Sequence, residues 1–277
     1  MLERVLIITG MHRSGTSLIT NWLHHCGLQV GEKLLGAATG NTEGHFEDTE
    51  FLKIHEEILA DNGLSITGLI FDQQLVLSEY ELEKIKAVLT IKARRYTQWG
   101  WKEPRTCLFL DTYRKLLPEA KYLVIVRNFG DVVSSLLNRA WAEIDDQYMR
   151  RSLFTRLKWQ YIKKPFKKKS FYGRYAGFYL QVWIDYNQHI LEAIEKTQSE
   201  NFIVVSYSML QIEDKRIFLH LEQKWGFALQ YVPFNSIYKQ NLISTKPAIE
   251  HLISDMSIIN KAYQLEAAFQ KYMVAAK

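Results

Sequence analysis

The chain has 277 residues, 47% apolar and 23% charged, the composition of a soluble globular protein and enough length for one large α/β core. Its net charge of +5 is uneven, because ten Lys and Arg and no acid lie between Asp146 and Asp185, leaving the rest mildly acidic. No run reaches the ~20 apolar residues of a helical membrane span, Met-Leu-Glu-Arg does not read as the start of a secretory leader, and Cys26 and Cys107 are too few for a disulfide framework or a zinc centre, so a cytoplasmic protein is expected.

Val5-Leu6-Ile7-Ile8 is a short apolar run and predicts a buried strand. Gly10-Met-His-Arg-Ser-Gly-Thr-Ser17 follows as a loop, after which Leu18, Ile19, Trp22 and Leu23 share one face of a helix. Residues 36–50 include Gly36, Gly40 and Gly44 and read as a loop, with Asp48 or Thr49 capping the next helix. Helices are expected near 49–61 and 79–97, the second opened by Ser78 with Glu81 three residues on. Trp99 to Lys102 forms a short strand, and 106–117 a helix stopped by Pro118. Lys121 to Arg127 is the clearest buried strand, with a helix from about Asp131 to Trp141 behind it. The basic stretch is expected to be broken at Pro165, Gly173 and Gly177, with a long helix over 174–197. Phe202 to Val205 is a further strand, followed by helices near 213–225 and 257–274. Apolar, non-alternating strands separated by helices imply an α/β fold, a three-layer sandwich around a central, mostly parallel sheet. Ligands of such sheets bind at the strand carboxyl ends, and the chemically suggestive residues lie there.

Strand, glycine-bearing loop and helix N-terminus make an anion cradle, because backbone N–H groups and the positive end of the helix face one point. Gly10-x4-Gly15 has the spacing of a nucleotide-triphosphate loop, yet Thr16 stands where that loop places Lys. The cation comes earlier, as Arg13, and Thr16 and Ser17 add hydroxyls. A second anion site can form where Arg127 ends its strand and Ser135 follows eight residues later, beside Ser134. The plainer reading of Arg127 is an ion pair with Asp131. Tyr207, just past the next strand, could lie against a nucleobase or simply pack.

Arg13-Ser-Gly-Thr-Ser17 after a first strand resembles the 5′-phosphosulfate loop of the sulfotransferases, enzymes that use 3′-phosphoadenosine 5′-phosphosulfate (PAPS). Arg127 with Ser135 is similar to that family's 3′-phosphate site, and Tyr207 resembles the tyrosine near the adenine. The match runs from residue 4 to about 215. The family's C-terminal basic-Gly loop is not evident, Lys246 being the nearest residue to it. The resemblance implies a P-loop-like fold over a single domain, 1–277. It implies donor binding by His12, Arg13, Ser14, Gly15, Thr16, Ser17, Arg127, Ser135 and Tyr207, and no metal. The displaced cation then has a purpose, since Arg13 would neutralise the bridging oxygen as the S–O bond breaks.

The implied activity moves a sulfuryl group from PAPS to a hydroxyl or amine of a small-molecule or saccharide-like acceptor. A general base must then take the acceptor's proton. Glu43-Gly-His45-Phe-Glu47-Asp48 resembles the Asn-x-x-Gly-x-(aromatic)-Glu element of bacterial-type members, and Lys102-Glu103-Pro104-Arg105 is similar to their Lys-Asp-Pro-Arg. Glu47 is the preferred base, then His45, then Glu103, with Lys102 and Arg105 orienting donor or acceptor. Two other classes compete. One is a magnesium-dependent P-loop kinase or phosphotransferase, against which Thr16 speaks. The other is a non-catalytic module whose basic face meets a membrane or polyanion. Residues 150–174 interleave cations with Phe154, Trp159, Tyr161, Phe166, Phe171 and Tyr172. They read as a solvated face, as part of an acceptor-side lid around 145–180 that holds an anionic acceptor or steers PAPS, or as a peripheral membrane contact. Nucleic acid is not an expected partner.

Overall fold

The structure, a computed structural model, describes residues 4–36, 44–237 and 249–273. Within them one sheet holds β1 (Arg4–Thr9), β2 (Gln98–Lys102), β3 (Lys121–Val126) and β4 (Phe202–Ser206). Their order is β2-β1-β3-β4 and each neighbouring pair is parallel. Leaving β1, the chain first adds a strand on one side and then returns to add β3 on the other. The carboxyl ends of β1 and β3 therefore flank the reversal point where such sheets open a crevice.

Side chains along the strands alternate between two cores. Leu6, Ile8, Leu123, Ile125, Ile203 and Val205 face α1 (Thr16–His25), α8 (Tyr207–Leu219) and α9 (Phe234–Ile237). Val5, Ile7, Tyr122, Val124, Val126 and Val204 face the opposite layer. That layer holds α2 (Thr49–Asp61), α3 (Glu79–Arg95), α4 (Leu110–Leu116), α5 (Phe129–Met149), α7 (Lys164–Glu195) and α10 (Met256–Gln270). Each fully buried aliphatic side chain contributes about 1.5–3 kcal/mol, so both faces of the strands stabilise the sheet. This is the expected three-layer α/β arrangement.

Local signals set most helix starts. Asp48 accepts from the Glu50 N–H and caps α2, and Ser78 with Glu81 forms the full capping box of α3. Other boundaries differ from expectation. The helix after β3 begins at Phe129, capped by Asn128, and runs on to Met149 rather than stopping at Trp141. Residues 104–109 form a 3-10 turn before α4, and α8 starts at Tyr207, directly after the Ser206 cap, not near 213.

The largest correction concerns the basic stretch, which is helical almost throughout. α6 (Leu153–Lys158) passes through a wider π turn, Trp159–Lys163, into α7. Pro165 lies in the first turn of α7, where a missing N–H is tolerated. Gly173 and Gly177 face open space. Each costs a helix about 1 kcal/mol, and the packing of Ala176, Tyr179, Leu180 and Trp183 outweighs that. Among the described residues no helix is long and apolar enough to cross a membrane.

Candidate active site

The loop between β1 and α1 is shaped by close approach. A Cβ on Gly10 would stand 2.5 Å from the carbonyl oxygen of Ile125 in β3, so only glycine lets the strand end pass there. Arg13 has φ of 68°, a left-handed conformation that costs an L-residue roughly 1–2 kcal/mol. Gly15 precedes α1 with φ of 99°. No side chain caps α1 and no acid lies in its first turn, so its leading N–H groups face the loop.

Two strands contribute to the same spot. Arg13 Nε donates to Ser135 Oγ at 2.9 Å, and an Arg127 nitrogen donates to the Arg13 carbonyl at 3.3 Å. Arg127 also grips Asp131 at 3.0 and 3.1 Å, so the ion pair and the convergence on the loop coexist. Burial, and then the charges of Arg139 and Arg127, lower the pKa of the Arg13 guanidinium. A strained arginine among like charges is a cost that a bound anion offsets.

The second half of the site hangs from the end of β2. Lys102 is fully buried and donates to Glu47 Oε1 at 2.9 Å and to Ser17 Oγ at 3.1 Å, joining the first loop to the Glu47 segment. Glu47 is held by backbone. The Leu35 N–H donates to its carbonyl at 2.8 Å, and the His45 N–H to the Leu35 carbonyl at 3.1 Å. Asp48 meets Lys92 of α3 at 2.6 Å. Burial lowers the pKa of Lys102, with Glu47 opposing. The same two influences act on His45, whose Nδ1 lies 3.8 Å from Glu47 Oε1, and the result is again a lowering.

Behind these groups is a polar network that the sequence did not announce. Glu103 is fully buried, 2.5 Å from His55 Nδ1 and 2.5 Å from an Arg105 nitrogen. A carboxylate only accepts, so Nδ1 carries the proton, and the Tyr113 hydroxyl lies 2.7 Å from Nε2. Burial alone would raise the Glu103 carboxyl. The bond from His55 and the charge of Arg105 outweigh it and hold the pKa at about 2. Arg105 is fixed further by the Ile66 carbonyl at 2.7 Å and by Glu56 at 3.2 Å.

A cavity of about 750 Å³ opens beside this machinery, with His12, His45, Glu47, Glu56, Arg105 and Arg139 in its walls. Glu103 is not a wall residue. It is enclosed and bonded behind Arg105, which sets it apart from the other two base candidates. His12 Nε2 is buried with no hydrogen-bond partner among the described residues. Burial, then the Arg105 charge, pushes the His12 pKa down to about 3, so its ring is neutral. A second cavity, about 570 Å³, lies past β3 and β4 against Arg127, Asn128, Trp183, Ser206 and Met209. The backbone of Tyr207 opens α8 beside it, but the Tyr207 side chain lies outside the described residues, as do Glu43 and Lys246.

His55 and Tyr113 bond into this network and Arg139 lines the larger cavity, and none of the three was singled out in the sequence. One signal existed for His55, which shares the apolar stripe Phe51, Ile54, Ile58 and Leu59 of α2. A polar residue on a core face needs a buried partner. Among the described residues no group of three or more His, Cys, Asp or Glu could hold a metal ion.

Residues 6–218 match the profile of the sulfotransferase family. The fold is similar to that of sulfotransferase STF9 from Mycobacterium avium, with 15% identity over 98% of this chain and 76% of that one and a TM-score of 0.56. It is similar also to a sulfotransferase from Alicyclobacillus acidocaldarius, with 14% identity, coverage of 98% and 97%, and a TM-score of 0.51. At such identities the likeness is one of fold. No curated protein matches the chain. The family match takes in most of β1, the other three strands of the sheet and both loops that meet at its reversal point, and on that basis the chain belongs to the sulfotransferase family.

Proposed function

We propose that the chain transfers a sulfuryl group from PAPS to a hydroxyl or amine of a small-molecule or saccharide-like acceptor by in-line displacement. The observation that carries this reading is the convergence of Arg13, Arg127 and Ser135 from the two strands flanking the reversal point. The residues fit a phosphosulfate. The start of α1 has no side-chain cap, its first turn has no acid, and like charges crowd Arg13. PAPS would supply an electrophilic sulfur and a phosphate leaving group.

The N–H groups of α1, Thr16, Ser17 and Arg13 would hold the 5′-phosphosulfate. Arg127 and Ser135 would hold the 3′-phosphate, and the 570 Å³ cavity beside them is the place for the nucleoside. Glu47 lines the larger cavity and takes the proton that the acceptor loses as its oxygen or nitrogen bonds to sulfur. Arg13 neutralises the electron pair left on the bridging phosphate oxygen as the S–O bond breaks. Stabilising charge that develops in this way is usually the largest catalytic contribution. Lys102, bonded to both Ser17 and Glu47, keeps donor loop and base in register. Glu103, His55 and Tyr113 are positioning residues that aim Arg105 at the acceptor cavity.

The test is direct. Adenosine 3′,5′-bisphosphate, the donor product, should raise the melting temperature, and Arg127→Ala should abolish the shift. Labelled PAPS, offered with a panel of saccharide, phenol, lipid and amine acceptors, should then identify the acceptor class. No shift at millimolar bisphosphate, or a shift with ATP only when magnesium is present, would overturn the reading.

A further inference from the structure

α5 and α7 lie side by side and run antiparallel, since Lys164 meets Asp145 at 2.7 Å and Tyr172 meets Asn138 at 2.6 Å. Around Asp145 and Lys164 the pair ends in a tip made of the last turn of α5, α6, the π turn and the first two turns of α7. One large side chain anchors it. Trp159 is buried, stacks on Tyr148 at 3.8 Å and Trp141 at 5.6 Å, and donates to Asp145 at 2.8 Å.

The rest of the tip faces outward. Among the described residues, seventeen large apolar side chains are exposed, and seven of them fall within 149–166: Met149, Leu153, Phe154, Leu157, Tyr161, Ile162 and Phe166. Phe154, Tyr161 and Phe166 are 77%, 74% and 79% exposed, values that no core role explains. Phe154, Leu157 and Tyr161 follow the spacing of one helix face. Six of the ten cations that lie without an acid between Asp146 and Asp185 fall in the same segment, and Lys167, Lys168 and Lys169 follow it directly. Two ion pairs tie it to α5, Arg150 with Asp146 and Lys164 with Asp145. Lys163 and Lys167, and likewise Lys164 and Lys168, are like charges four apart, a spacing that opposes a helix. Fold stability therefore explains neither the charges nor the exposed rings.

We propose that this tip docks the protein on an anionic lipid bilayer, with the lysines and arginines at the headgroups and Phe154, Leu157, Tyr161 and Phe166 at the acyl boundary. Charge complementarity selects the occupant, since a dense cationic surface is drawn to anionic headgroups. The exposed rings distinguish a bilayer from a soluble polyanion, which would leave them in water. The lysines distinguish it from a protein partner, because protein interfaces are depleted in Lys, whereas Lys163, Lys164, Lys167, Lys168 and Lys169 crowd this surface. Membrane-surface helices combine these two features. The inference stands on the surface alone and does not rest on the chemistry proposed for the cleft.

The test uses the full chain and sedimentation with phosphatidylcholine vesicles, with and without about a third phosphatidylserine. The protein should pellet with the anionic vesicles only and be released by about 0.5 M salt. Replacing Lys167, Lys168 and Lys169 by Gln should weaken partitioning roughly 100-fold. The double variant Phe154→Ser, Phe166→Ser keeps the charge and should weaken it roughly 10-fold or more. Both variants should keep the parent melting temperature and circular dichroism, since their sites are exposed. No pelleting with anionic vesicles at low salt would overturn the proposal. So would a double Phe variant that binds like the parent while heparin competes, because the surface would then be a site for soluble polyanions. Pelleting that occurs only after a soluble acidic protein is added would overturn it in favour of a protein partner.

Discussion

The crevice at the strand ends and the tip of the α5–α7 pair are both rich in cations, and they use them in opposite ways. In the crevice, Lys102 and Arg105 are buried and bonded on several sides, to Glu47, Ser17, Glu103, Glu56 and the Ile66 carbonyl. Such groups are costly to remove from water, and they stay only because partners satisfy them. At the tip, cations and rings share an exposed surface and one tryptophan anchors the backbone. The lesson is that positive charge held in place marks where chemistry needs geometry, whereas positive charge left in solvent marks where a partner of opposite charge supplies the order.

That contrast can be broken or sharpened by experiment, beginning with the largest effect. Glu47→Gln should lower turnover by about 10²–10⁴-fold, the usual worth of a general base, while adenosine 3′,5′-bisphosphate still raises the melting temperature. Labelled-PAPS assays check the first and thermal shift the second. Full turnover in the variant would move the base to His45. Glu103→Ala should destabilise the fold by about 3–5 kcal/mol, since it leaves Arg105 and His55 without their shared buried acceptor. Urea unfolding measures this, and a loss under 1 kcal/mol would mean that the network is dispensable.

The same groups fix the sign of the acid response. His12 falls from an ordinary 6.5 to about 3 on folding, and Glu103 from 4.5 to about 2. In each case the unfolded chain binds the proton more readily. The stability they contribute is complete above the unfolded values and is lost as pH falls, first from 6.5 through His12 and more steeply below 4.5 as Glu103 joins. Unfolding by urea across pH 3 to 7 should show this slope, and His12→Asn should remove the part nearest neutrality. A flat profile in the parent would contradict the buried placement of both groups. The smallest effects belong to the tip, where replacing Phe154 and Phe166 by Ser should change stability by no more than about 0.5 kcal/mol per site, as differential scanning calorimetry would register. A larger loss would show that the rings pack in the fold.

Much of the crevice was legible because its chemistry sits next to itself in sequence. Gly10, Arg13, Gly15 and Thr16 occupy one turn, and Arg127 and Ser135 are joined by a single strand-to-helix step, so their spacing together with the family resemblance singles them out. The apolar runs of β1, β3 and β4 were equally plain, because a parallel sheet buries both faces of each strand. Other features were hidden for physical reasons. The continuity of α7 through Gly173 and Gly177 depends on packing against α5 and α10, which overrides local propensity. His55 and Tyr113 lie 48 and 58 residues from the groups they bond, and nothing local marks them as partners.

The sequence by itself determined the class of fold, the strand, glycine loop and helix that open it and the uneven charge, because each depends on residues close along the chain. Tertiary structure decided which carboxylate faces a cavity and which is sealed behind an arginine. Glu47 and Glu103 are both acids in motifs that resemble the family's, and only the crossing of β2, α2 and the Leu34–Asp48 bridge places one in the cavity wall and the other out of reach of solvent. Burial and partnership are properties of distant segments brought together, and they set the pKa and the accessibility on which a role in catalysis depends.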